Sequence, residues 1–388
     1  MIRLIKQEEL KKWAEILLNH SSLGGINPGE RVMVKGEAAC WELMAELERH
    51  IILAGGIPDI YLIPPNNCRG RVWSSAMGFF GTSSQFIAIP DWHRARYDSM
   101  DKYVEILGTE DPSMFNFLDG NQAMRLAKAD SPFAGIRVAK PWVLTLFPTK
   151  SGAELEGFET MEQYVDFLVE ASTSNPATIK DAADQLAPIF QQAKTMKLYT
   201  VAPKDMTFSL KIDLGNTLVR KCCGERNWPD GEIFRSPDPR RTNGEIFLDL
   251  PVFHQGDMIH GIYLEFENGV VVNCSAIEGE ETLRSIVETD AGSRRLGEVA
   301  LGMNPGLTHV MKEPLYVEKV GGTAHIALGR SYEECYPDLE LAKKNGTFND
   351  SAQHVDLVVD FRKGGAGWKL YLDNTQLVVK DGMWAVAD

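Results

Sequence analysis

The 388-residue chain predicts an N-terminal α/β domain with a mainly parallel sheet, followed by an α+β C-terminal domain with a mostly antiparallel sheet. Three observations carry this reading. Up to about residue 200, short apolar runs of strand length alternate with stretches of helical apolar spacing, the pattern of βαβ units. From about Met206 onward, the runs are separated by turns instead of helices. In that second half, Ile259–Phe266 and Val270–Asn273 flank Glu267-Asn268-Gly269, and Asn-Gly between alternating runs marks a hairpin because a type I′ turn needs positive φ. The boundary falls near residue 204, giving domains 1–204 and 205–388.

In order along the chain, Glu8–Asn19 has helical apolar spacing. Asn27-Pro28-Gly29-Glu30 is a turn that feeds the strand Arg31–Val34. Glu37–Ala54 reads as a helix stopped by Gly55-Gly56, and Ile57–Ile63 as a strand closed by Pro64-Pro65. Phe86–Ile89 and Trp142–Leu146 are further strands. Tyr97–Leu107, Gly120–Ala129, Met161–Ala171 and Lys180–Met196 are expected helices. Phe208–Ile212 and Glu245–Leu248 open the strand-rich half. Neither a fixed-period repeat nor a low-complexity segment interrupts the pattern.

Composition narrows the partners. Apolar residues make up 44% and charged residues 24%, the balance of a soluble globular protein able to bury a large core. Lys and Arg number 40 against 54 Asp and Glu, a net charge of −14, which disfavours nucleic acid and anionic membrane. No apolar run reaches transmembrane length, and the first residues carry no secretory pattern. Six scattered cysteines without a C-x-x-C pair fit reduced thiols in a cytoplasmic protein. The vicinal Cys222–Cys223 is a candidate for a soft metal, although packing explains it better.

P-loop, dinucleotide-binding, H-E-x-x-H and nucleophile-elbow motifs are all absent. Chemistry-bearing residues instead gather in the second half. His354 and Asp356 are separated by one residue, so on a strand they share a face and make a pair of divalent-metal ligands. His325 sits in the small, apolar stretch Gly321–Gly329, where a buried imidazole needs a hydrogen bond or a metal. Glu298 lies in Leu296–Gly302, and Glu232 leaves the turn Pro229-Asp230-Gly231. Each has an ordinary reading: a surface His beside an acid, a satisfied core His, a helix-surface acid, a strand-edge acid. Together the five would suit a site for two hard or borderline cations, with three carboxylates offsetting the charge.

The motifs Asn227–Pro237, Gly261–Val271, Thr289–Leu301, Thr323–Tyr332 and His354–Asp356 occur in an order that resembles the aminopeptidase T-type metallopeptidases. Asn27–Val32 and Asp101–Pro112 are similar less specifically. The resemblance implies an aminopeptidase using two divalent ions (Zn, Co or Mn) and acting on small peptides, and it implies a homodimer. By motif, it makes Glu232, Glu298, His325, His354 and Asp356 the metal ligands, with Glu298 the bridge, and puts Tyr332 in the active site. The family carries an acid five residues before the His325 equivalent; here that position is Val320, and Glu318 is the nearest acid, a substitute ligand or proton shuttle. Gly302-Met303-Asn304-Pro305 resembles a stretch of the 2,5-dihydroxypyridine dioxygenases, which share the fold and use one Fe(II). An iron-dependent ring-cleaving dioxygenase and a non-catalytic ligand-binding relative are therefore the alternatives.

Overall fold

The computed structural model describes residues 5–63, 80–82, 84–85, 90–108, 110, 131–254, 257–365 and 367–387. The expected strand Phe86–Ile89, the helix Gly120–Ala129, Pro64-Pro65, Cys68 and most of 109–112 lie outside them. By contacts the chain forms two units, Met1–Pro176 with Gly224–Pro229, and Ala177–Cys223 with Asp230–Asp388.

In the first unit, helices α1 (Gln7–Asn19) and α2 (Trp41–Leu53) accompany strands β1 (Arg31–Glu37) and β2 (Ile57–Ile63). Helix α3 (Asp91–Ser99), strands β3 (Lys102–Leu107) and β4 (Trp142–Leu146), and helices α4 (Lys150–Glu156) and α5 (Met161–Thr173) follow. The sheet order is β2-β1-β3-β4, and every pairing is parallel. Residues Val32–Gly36 of β1 and Lys102–Ile106 of β3 are buried, as a central parallel strand requires.

Tyr97–Leu107 does not form the expected helix. The segment joins the end of α3 to the central strand β3. Its apolar residues Tyr97, Met100, Tyr103, Val104 and Leu107 fall by chance at helical spacing. A strand buried on both faces has no alternation with which to announce itself.

The second unit begins, apart from Pro176, with helix α6 (Pro176–Gln192), then β5 (Thr195–Ala202), β6 (Met206–Asp213) and β7 (Arg220–Cys222). Residue 204 lies in the turn between β5 and β6, which pair antiparallel. The two-residue strand β8 (Asn227–Trp228) belongs to the first unit and extends its sheet beyond β4. Next come β9 (Glu232–Arg235), β10 (Thr242–Leu248), β11 (Val252–His254), β12 (Asp257–Glu267), β13 (Val270–Glu278), α7 (Glu280–Val287) and β14 (Leu296–Gly302). The chain closes with α8 (Pro314–Val317), β15 (Thr323–Gly329), α9 (Leu339–Asn345), β16 (His354–Asp360), β17 (Lys369–Leu372), β18 (Thr375–Lys380) and β19 (Met383–Val386).

Two antiparallel sheets organise this unit. One runs β11-β12-β10-β6-β5-β17-β18-β19, with β13 also on β12. The β12–β13 hairpin turns where expected, with Asn268 and Gly269 both at positive φ. The other sheet runs β16-β15-β14-β9-β7. Its strands β14 and β15 are buried at every position, so anything polar on them needs a partner.

Candidate metal centre

Strand register brings the predicted residues onto one face of the second sheet. Opposed residues of an antiparallel pair share a face, as do residues two apart along a strand. Glu232 pairs with Gly302, His325 with Ala300, Glu298 with Ala327, and Ala327 with Asp356. Glu232, Glu298, His325, His354 and Asp356 therefore project together from four adjacent strands. Ala327 and Ala300, the residues between them on that face, are small enough to leave room.

The side chains converge. His354 Nε2 lies 2.9 Å from Glu298 Oε2 and 3.3 Å from Asp356 Oδ1. His354 Nδ1 is 2.7 Å from the Arg330 carbonyl, a bond that fixes the ring and presents Nε2 to the carboxylates. His325 Nε2 stands 3.7 Å from both Glu232 Oε2 and Glu298 Oε1. Three donor groups emerge, each with its atoms within 4.8 Å of one another: Glu232, Glu298 and His325; Glu298, His354 and Asp356; Glu318, His325 and Asp356. Glu298 is common to the first two. Among the described residues, no such group includes Cys222 or Cys223.

This donor set fits a divalent ion. Glu232 Oε2, both nitrogens of His325 and Asp356 Oδ1 are buried without a hydrogen bond. Such groups are costly to leave unsatisfied, and their 3.3–3.7 Å separations suit atoms that share an ion. In the metal-free chain, protons do part of that work. Burial opposes the charge on His325, but Glu298, Asp356 and Glu232 outweigh it and carry the imidazole up to about 9. Burial likewise opposes the charge on His354, while Asp356 and Glu298 push it up to about 11. Burial would raise the Glu298 carboxyl, yet the two imidazoles hold it below the usual carboxylate range.

Position 320 does not supply an acid. Val320 is fully buried and bridges to Asn304. Glu318, two residues earlier, lies beside His325 and Asp356. Gly302 permits this approach, because a Cβ there would meet the Val320 carbonyl at 2.2 Å and Thr323 Oγ1 at 2.5 Å. Burial raises the Glu318 carboxyl well above its ordinary range, Asp356 and Glu232 adding to the effect. Tyr332 packs edge-on against the His354 ring, centroids 4.9 Å apart, and against Phe234. Burial and the surrounding carboxylates keep its phenol protonated.

Two features escape the sequence reading. Lys319 is buried and its ammonium sits on Glu232 Oε1 and, at 2.6 Å, on Glu318 Oε1, with Asp230 Oδ1 4.0 Å away. The only signal for it is the charged pair Glu318-Lys319 set among Tyr316, Val317 and Val320. The second is a cavity of about 210 Å³, lined by Val252, Phe253, Lys312, Val317 and Val358, which reaches His354 and Asp356. Those two are the accessible members of the cluster, 20% and 23% exposed, against 0–7% for His325, Glu298 and Glu232.

Comparison with known proteins places these features in context. The family model described as thermophilic metalloprotease (M29) matches residues 6–384. Over 170 residues the chain is 36% identical to aminopeptidase T of Thermus thermophilus, a match spanning 41% of this chain and 40% of that enzyme's length. It is 26% identical to aminopeptidase PepS of Streptococcus thermophilus over 91% of this chain and 92% of that one. The fold is shared with the solved structure of wild-type AmpT from Thermus thermophilus, with a TM-score of 0.75 and 20% identity over 98% of both chains.

Proposed function

The chain belongs to the thermophilic metalloprotease (M29) family, and on that premise we propose that it is a metal-dependent aminopeptidase acting on short peptides. The observation that carries the proposal is the set of five carboxylate and imidazole side chains on one sheet face, with buried donor atoms that no protein group satisfies. Glu298, His354 and Asp356 would hold one divalent ion (Zn, Co or Mn), and Glu232, Glu298 and His325 a second. A divalent ion supplies Lewis acidity toward the scissile carbonyl and the attacking water.

The chain's own groups supply the rest. The cavity beside His354 and Asp356 seats the apolar side chain of the first residue and leads the peptide to the exposed side of the cluster. Glu318, beside His325 and Asp356, is placed to move a proton to the departing amine. The Tyr332 phenol donates a hydrogen bond to the oxygen that gains charge.

The iron-dioxygenase reading is not favoured. The matched relatives are aminopeptidases, and Glu298 and Glu232 exceed a two-His-one-carboxylate set. Elemental analysis of the purified chain tests the proposal. About two Zn, Co or Mn per chain support it. A single iron with oxygen consumption overturns it, and a chain that takes no metal leaves only a non-catalytic relative.

A further inference from the structure

Glu232 divides its two carboxylate oxygens between different partners. Oε1 accepts from the Lys319 ammonium, whereas Oε2 makes no hydrogen bond and faces His325 Nε2 at 3.7 Å. The same ammonium holds Glu318 Oε1 at 2.6 Å. Lys319 cannot swing away. Its side chain is 3% exposed, and its backbone is tied at both ends: its amide donates to the Tyr316 carbonyl at 3.1 Å, and its carbonyl accepts from Asn304 at 3.0 Å. Asn304 in turn donates to the Asp230 carbonyl at 2.7 Å. A fixed positive charge therefore shares a carboxylate with two of the three donor groups, Glu232 in one and Glu318 in another. The other group, Glu298, His354 and Asp356, has no ion pair with a lysine or arginine among the described residues.

We propose that Lys319 is a built-in counter-ion that makes the two halves of the centre unequal: the ion held by Glu298, His354 and Asp356 is tight, and the ion that shares Glu232 and His325 is loose and exchangeable. Lys319 is a positioning residue in this scheme. It orients Glu232 to offer a single oxygen, and its charge opposes a second cation on that same carboxylate. The proposal rests on the reading of the cluster as a metal centre.

The test is a calorimetric titration of the chelator-stripped full chain with Zn²⁺, with bound metal counted by elemental analysis. The wild type should show two classes of site whose Kd values differ by about tenfold or more. Lys319→Met should tighten the loose class by about tenfold and leave the tight class within about twofold, whereas Lys319→Arg, which keeps the charge, should retain the gap. Glu318→Gln leaves the ammonium to Glu232 and should loosen the weak class further, so the proposal stays testable if Lys319→Met does not fold. Equal affinities in the wild type, an unchanged or weakened loose class in Lys319→Met, or a tightened one in Glu318→Gln would overturn it. A chain that binds no ion at all refutes the metal-centre reading instead.

Discussion

Glu298 Oε2 lies 2.9 Å from His354 Nε2, while its other oxygen faces His325, so one carboxylate on β14 links imidazoles from β15 and β16. Removing its charge should therefore damage both donor groups at once. Glu298→Gln keeps the shape of a 3%-exposed side chain and should leave the circular dichroism spectrum unchanged. Bound metal should fall sharply, and kcat/KM should drop by about a hundredfold or more, since even residues behind the ligands are worth ten to a hundredfold. Retention of full metal content would remove Glu298 from its bridging role.

If Glu318 and Tyr332 act on protons and charge as proposed, their variants should separate kcat from KM. Glu318→Gln should lower kcat by about a hundredfold with KM little changed. Tyr332→Phe should lower kcat by at least about tenfold, because it deletes one donor to the developing charge. If KM rises while kcat stays, these groups bind substrate and do not assist the chemistry.

Val320 cannot be turned into the missing acid. Its side chain is fully buried. Val320→Glu should cost several kcal/mol of stability and bring no extra metal. A thermal melt with elemental analysis checks both, and a stable variant with an added ion would show that the 318–320 segment can re-register.

Acid should weaken the first unit at a definable place. The Asn27 backbone amide, at 2.7 Å, and then Lys102, at 2.6 Å, lower the Glu30 carboxyl from 4.5 to about 2. A depressed carboxyl contributes stability that is present above its unfolded value and lost as the pH falls through the folded one. The melting difference between wild type and Glu30→Gln should be full above pH 5 and shrink between pH 4 and 2. A difference that does not change with pH would assign the stabilisation to packing of the Asn27–Glu30 turn.

The readable part of the site is the part that follows local periodicity. His354 and Asp356 share a face because a strand repeats every two residues, and they do lie on a strand, β16. Glu232, Glu298 and His325 each stood out as a chemical group in an apolar run, but their convergence depends on register across β9, β14 and β15, which spacing within one strand does not encode. Lys319 was hidden for the same reason, since its partners Glu232 and Asp230 are more than eighty residues away. The cavity draws Phe253 from β11 and Lys312 from the loop before α8. In the first half, the parallel strands β1, β2 and β4 were legible as apolar runs, whereas β3 was disguised by helical spacing.

A single titration tests the proposed metal-dependent exopeptidase activity. The chelator-stripped chain would be given Zn²⁺, Co²⁺ or Mn²⁺ in steps while hydrolysis of a leucyl-nitroanilide and of its N-acetylated counterpart is followed. No hydrolysis is expected without metal, the rate should rise and saturate with one of these ions, and the acetylated substrate should not be cleaved. Silence with every ion, a rate indifferent to chelation, or equal cleavage of both substrates would contradict the proposed activity.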